Sequence, residues 1–158
     1  AGTWGHVNFN KECIKQKKKP IFGVEIGVVE DATERARQPI NYMAFLAKNN
    51  LGLTEIYQLV TKSTSKENFY YIPRISYYDL FEISENVIIL TGTNPNLGLI
   101  PLTRRKHIYF EINPMTNKKS FLWAKEKRFK FVATSDNYYP KVTDRKAYEV
   151  LVGMNRTE

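Results

Sequence analysis

Apolar residues in this chain fall into short, nearly continuous runs separated by polar segments, and those runs set the expected elements. Residues 20–29 read PIFGVEIGVV, a β-branched stretch opened by proline and interrupted by Gly23, Glu25 and Gly27, the pattern of a strand buried on both faces. Upstream, residues 5–18 place Val7, Cys13 and Ile14 on a helix whose last turn is cationic, as the helix dipole favours. A charge-rich link at 30–37 leads to a second strand at 40–47 (INYMAFLA). Lys48, Asn49, Asn50 and Gly52 then mark the turn into a helix over 53–62, with Leu53, Ile56, Tyr57, Leu59 and Val60 on one stripe. Residues 68–73 (NFYYIP) read as an aromatic loop or short strand, and Ser76 and Asp79 have the spacing of a capping box. Strands are expected at 86–91, 107–112 and 129–134, and helices at 117–127 and 144–152. Between 94 and 103, Pro95, Gly98 and Pro101 mark a long loop of the kind that often hosts function. Strands alternating with helices predict parallel βα units, hence an α/β sheet or a barrel, and a barrel fragment is the expectation.

A length of 158 residues suits one domain, and 42% apolar residues suffice for a core. The single cysteine, Cys13, excludes an internal disulfide and reads as an inert thiol on an apolar helix stripe, so a reducing, cytoplasmic setting is expected. The longest uncharged run, 86–103, is broken by glycine and proline and cannot satisfy its backbone in lipid, so no membrane span is expected. The chain carries 24 Lys and Arg against 16 Asp and Glu, a net charge of +8. That excess is local, in clusters around Lys17 and Lys18, Arg104 and Arg105, and Lys127 and Arg128. Each cluster alone fits a solvated helix end; together they favour weak, sequence-independent contacts to DNA phosphates.

Two carboxylates stand out. Glu25, between Val24 and Ile26, must point at water or meet a cation, and reads either as a wet strand end or as a metal or catalytic group. Asp136 directly follows the strand at 129–134, where α/β barrels build their sites, although aspartate is also a common turn former. His6 and His107 are isolated, and no zinc, nucleotide-binding or hydrolase motif is present. The aromatics Phe69, Tyr70, Tyr71, Tyr138 and Tyr139 fit either base stacking or the cover of a sheet end.

Several stretches, taken in order, are more specific. KPIFGVEIGVV, FLAKNNLGLTEIYQLV, FYYIPRISYYDLFEIS, VIILTG and FVATSDNYYPKVTDRKAYEVL follow one another as in the polymerase and histidinol phosphatase (PHP) domain of bacterial DNA polymerase III alpha subunits. The chain resembles that family over about residues 5 to 155, with the AKN-x-x-G turn and the F-Y-Y-x-P-R loop as the distinctive signals. The resemblance implies an α/β fold, part of a distorted seven-stranded (β/α) barrel with largely parallel strands, and a single domain over 1–158. It also implies that the first strand, with a His-x-His motif, lies upstream of Ala1 and that the polymerase domains lie downstream of Glu158. The family holds up to three divalent metals such as zinc, manganese or magnesium. Carried over residue by residue, the resemblance keeps Glu25 and Asp136 as ligands. It places Tyr42 and Tyr138 where the family has histidines and Thr93 where it has a cysteine. The implied function is therefore that of a replicative polymerase domain with a depleted metal site, with no hydrolytic activity and no bound cofactor in this segment. Its expected partners are DNA, the polymerase body and other replicase subunits such as the proofreading exonuclease. The competing readings are an active metal-dependent phosphoesterase or 3′→5′ exonuclease, and a stand-alone basic nucleic-acid-binding module.

Overall fold

Six strands form one sheet in the order β3-β1-β2-β4-β5-β6. They are β1 (Gly23–Val29), β2 (Asn41–Ala47), β3 (Arg74–Ser76), β4 (Val87–Leu90), β5 (Ile108–Ile112) and β6 (Lys130–Ala133). The computed structural model describes residues 2–135 and 137–154. β1 with β3, β4 with β5, and β5 with β6 are parallel pairs, whereas β2 lies antiparallel to both β1 and β4. Every apolar run expected to be a strand lies in this one sheet, and the mixed α/β class with mostly parallel strands holds. β2 is the exception in direction. The link before it, residues 30–40, contains no helix to carry the chain back across the sheet, so β2 returns beside β1.

The helices are α1 (His6–Lys15), α2 (Asn50–Thr64), α3 (Lys118–Glu126) and α4 (Arg145–Met154). One face of the sheet presents Val24, Ile26, Val28, Met43, Phe45, Ile89, Ile108 and Phe110. These form the core with Ile56 and Leu59 of α2 and Ala124 of α3. The register puts Glu25 opposite Ala44, Gly27 opposite Tyr42 and Ala44 opposite Leu90, so the opposite face carries Glu25, Tyr42 and Ala44. Glu25 and Tyr42 are exposed. The expectation that β1 is buried on both faces is thus corrected at Glu25.

Local chemistry explains the two distinctive motifs. In the AKN-x-x-G turn, Asn49 caps α2 by accepting from the Gly52 amide at 3.0 Å, and its side-chain amide donates to Asn86 Oδ1 at 2.8 Å. A Cβ on Gly52 would lie 2.1 Å from the Asn86 carbonyl oxygen, so only glycine lets α2 approach the strand β4 this closely. In F-Y-Y-x-P-R, Arg74 is 2% exposed and donates to the carbonyls of Asn68, Ala32, Ala36 and Glu34, with Tyr70 beneath its guanidinium at 4.9 Å. That one side chain folds the link 30–38 against β3. The Ser76–Asp79 capping box is present on a short 3₁₀ turn, Tyr77–Phe81, and Lys62 of α2 pairs with Asp79 at 2.6 Å. The Asp79 carboxylate accounts for the upward shift of the Lys62 ammonium.

α1 differs from its expected role, because no residue in it is buried and Val7 and Ile14 are exposed. Cys13 is half-buried and is no core thiol. The helix is anchored at its start: His6 Nε2 donates to the Gly23 carbonyl at 2.9 Å, and Nδ1 faces the Tyr57 hydroxyl at 3.3 Å.

Candidate functional site

A cleft of about 540 Å³ opens on the sheet face opposite the main core, at the edge where β1, β4 and β5 end. β1 delivers Glu25 and, one residue past its end, Glu30. β2 begins there and delivers Tyr42, β4 is followed by Gly92, Thr93 and Asn94, and β5 delivers Glu111 with Asn113 beyond it. Tyr138 completes the wall. Four of the five positions singled out from the sequence therefore line one cleft: Glu25, Tyr42, Thr93 and Tyr138. The fifth, Asp136, lies outside the described residues.

Two carboxylates of the wall were not anticipated. Glu111 sits between Phe110 and Ile112, the same anomaly that flags Glu25 between Val24 and Ile26, and could have been found by the same argument. Its Oε2 accepts the Gly92 amide at 2.5 Å. Glu30 carried no signal beyond its place at the end of an apolar run.

The cleft floor is tightly built. Gly92 has φ +68, and a Cβ there would meet the Tyr42 carbonyl oxygen at 2.2 Å, so the turn after β4 can close on β2 only with glycine. Asn41 donates to the Thr91 carbonyl at 2.7 Å beneath the same turn. The Tyr77 hydroxyl accepts the Asn96 amide at 2.8 Å, and burial pushes this phenol above its ordinary pKa. Outside the floor, Tyr138 stacks on Tyr148 of α4 with ring centroids 5.1 Å apart, which ties α4 to the cleft wall. The loop at 94–103 folds into two 3₁₀ turns, Leu97–Leu99 and Leu102–Arg104.

As donors, these groups are hard oxygens: carboxylates, hydroxyls and amide carbonyls. Among the described residues, no three His, Cys, Asp or Glu side chains gather as a group able to hold a metal ion. The hydroxyls of Tyr42, Thr93 and Tyr138 are poor ligands for zinc.

The six cations proposed from sequence are distributed over three turns. Lys17 and Lys18 follow α1 and are exposed. Arg104 spends Nε and Nη2 on the Phe81 carbonyl, whereas Arg105 is exposed. Lys127 pairs with Glu126 at 2.8 Å, and Arg128 is exposed. None of the six lines the cleft.

The profile of the PHP domain family matches residues 2–139. This chain belongs to the PHP domain family. Among its relatives, the DNA polymerase III subunit alpha of Borreliella burgdorferi is 27% identical over 183 residues, covering 96% of the chain and 16% of the relative. The same subunit of Aquifex aeolicus is 25% identical, covering 98% of the chain and 16% of the relative. That of Chlamydia pneumoniae is 31% identical over 97 residues, or 58% of the chain and 8% of the relative. The chain thus spans less than a fifth of the length of these relatives. Among the described residues, no helix is long and apolar enough to cross a membrane.

Proposed function

We propose that this PHP domain belongs to a bacterial, cytoplasmic replicative DNA polymerase of the DNA polymerase III alpha type, where it acts as a scaffold and docking surface and hydrolyses no phosphodiester. The reading is carried by the composition of the cleft wall: Tyr42, Thr93 and Tyr138 stand at the positions that the family resemblance assigns to two histidines and a cysteine. Those hydroxyls, in place of nitrogen and sulfur donors, and the engaged Glu111 do not fit a zinc ion, and no catalytic step is derived through a metal. Near-complete coverage of the chain by the alpha-subunit relatives supports the polymerase context. In that context the docking partners are the polymerase body and other replicase subunits, including a proofreading exonuclease, and DNA meets the domain through its basic clusters.

The test is metal analysis and nuclease assay of chelator-treated protein re-dialysed against zinc or manganese. Substoichiometric metal and no cleavage of DNA are expected. Stoichiometric metal, or manganese-dependent cleavage abolished by Asp136→Ala, would instead establish the phosphoesterase reading.

A further inference from the structure

Basic clusters separate in sequence meet on one rim of the sheet. β5 and β6 are parallel with Tyr109 opposite Lys130, so His107 and Arg128, each just before its strand, lie on the same rim. The Arg104–Arg105–Lys106 turn runs directly into β5, pinned by the two Arg104 hydrogen bonds to the Phe81 carbonyl. Because β2 runs opposite to its neighbours, it ends on this same rim. There Lys48 Nζ donates to the Glu85 carbonyl at 2.6 Å. His107 sits in the field of Lys48, Arg104 and Lys106, with the carboxylate of Glu85 opposing them. Among the described residues, Arg105, Lys106 and Arg128 make no ion pair or side-chain hydrogen bond, and all three are exposed.

Arg128 adds an independent observation. It closes α3 with φ +60, its amide donating to the Lys125 carbonyl at 3.1 Å while the Phe129 amide donates to Ala124 at 3.0 Å. That left-handed position ordinarily takes glycine, and an L side chain there costs on the order of 1 kcal/mol. Lys17 ends α1 in the same left-handed conformation, with φ +53, so the geometry is that of a helix C-terminus; at Arg128 it leaves an exposed guanidinium beside the start of β6.

We propose that the rim formed by Lys48, Arg105, Lys106, His107 and Arg128 is a binding site for the phosphate backbone of nucleic acid, on the edge of the sheet opposite the cleft. This rests on the polymerase reading above and specifies where that protein touches DNA. The starts of β5 and β6 lie roughly 5 Å apart, so the cations that precede them form one cluster facing a polyanion. Planar guanidinium groups suit phosphate oxygens in particular. The strand length sets the rim about 16 Å from the cleft edge, so occupancy of one leaves the other accessible.

The experiment measures binding of short labelled single-stranded and duplex DNA to the 158-residue chain at low and physiological salt. Paired Arg105→Glu and Arg128→Glu substitutions are expected to weaken binding at least about tenfold and to flatten the logarithmic salt dependence by about two. Arg128→Gly removes the charge and relieves the backbone, so affinity falls while the melting temperature holds or rises, an outcome a purely structural arginine would not give. By NMR, the midpoint of His107 rises when DNA is bound. Equal or greater loss from Lys17→Glu with Lys18→Glu would overturn the placement and leave the polymerase reading intact. Unchanged affinity in Arg128→Gly, or competition by polyglutamate or anionic vesicles as effective as by DNA, would overturn the site itself. Absence of any DNA binding at low salt overturns both the site and the DNA contact proposed above, while the metal and nuclease tests stand separately.

Discussion

The main-chain amide of Gly92 donates to the carboxylate of Glu111 at 2.5 Å, tying the turn after β4 to the neighbouring strand β5 across the cleft floor. A charged acceptor on a half-buried amide is stronger than a neutral one, and it fixes the backbone from which Thr93 projects. Glu111→Ala leaves that amide without its partner, at a cost of about 1–3 kcal/mol. Glu111→Gln keeps one acceptor oxygen and is expected to recover most of the loss. Urea denaturation of the pair checks both; equal destabilisation would show that the carboxylate does not hold the turn through this bond.

Gly92→Ala should be worse than either. Its φ of +68 disfavours any L residue, and the new Cβ would overlap the Tyr42 carbonyl oxygen at 2.2 Å. A loss of about 2–3 kcal/mol is expected, with amide chemical-shift changes concentrated at Tyr42 and Thr93. A stability change within a few tenths of a kcal/mol of zero would mean that the turn relaxes freely.

Arg74→Met replaces a buried guanidinium with a shorter, flexible apolar chain. The carbonyls of Asn68, Ala32, Ala36 and Glu34 then lose their donor together, and a destabilisation of at least about 3 kcal/mol is expected. Limited proteolysis should cut within 30–38 before other segments. If that link stays as resistant as in the unaltered chain, Arg74 is not what holds it.

The pH dependence follows from His107. Its burial, reinforced by Lys48, disfavours the imidazolium and places its pKa below the ordinary value of 6.5 in the folded chain. The unfolded chain therefore binds more protons at mildly acidic pH, so the contribution of this group is present above about pH 6.5 and is lost as pH falls through the folded value. His107→Gln should shrink the stability difference between neutral and mildly acidic solution. Identical pH profiles for the two proteins would rule this out.

The capping box and the turn into α2 were legible in the sequence because they are local: Ser76 with Asp79 and Asn49 with Gly52 each depend on residues a few positions apart. The sheet membership of the apolar runs was legible for the same reason. β3 was not, since three residues after a proline carry no periodicity, and its place beside β1 is created by the Arg74 contacts to a link some forty residues earlier. The direction of β2 was hidden because an apolar run has no arrow. In the cleft, family resemblance located Glu25, Tyr42, Thr93 and Tyr138 on one wall. Glu111 carried the same local signal as Glu25, a carboxylate between two apolar residues, and only its bond to Gly92, nineteen residues away, was hidden.

The reversal of β2 also orders the assembly of the molecule. β1 and β2 join through a link of only eleven residues, 30–40, whereas the β4–β5 and β5–β6 pairs must close around long loops or a helix. Loop-closure entropy makes the β1–β2 hairpin the least costly extended pairing in the sheet, and with α2 following directly it supplies a local nucleus. Glu25 and Tyr42 are set on one surface as soon as that hairpin forms. Thr93 arrives with β4, and Glu111 only when β5 docks parallel beside it, so pulse-labelling hydrogen exchange should find β1 and β2 amides protected ahead of those in β5 and β6. The cleft is thus made in two instalments, and a lesion in the later strands would leave a chain that still presents half of its wall.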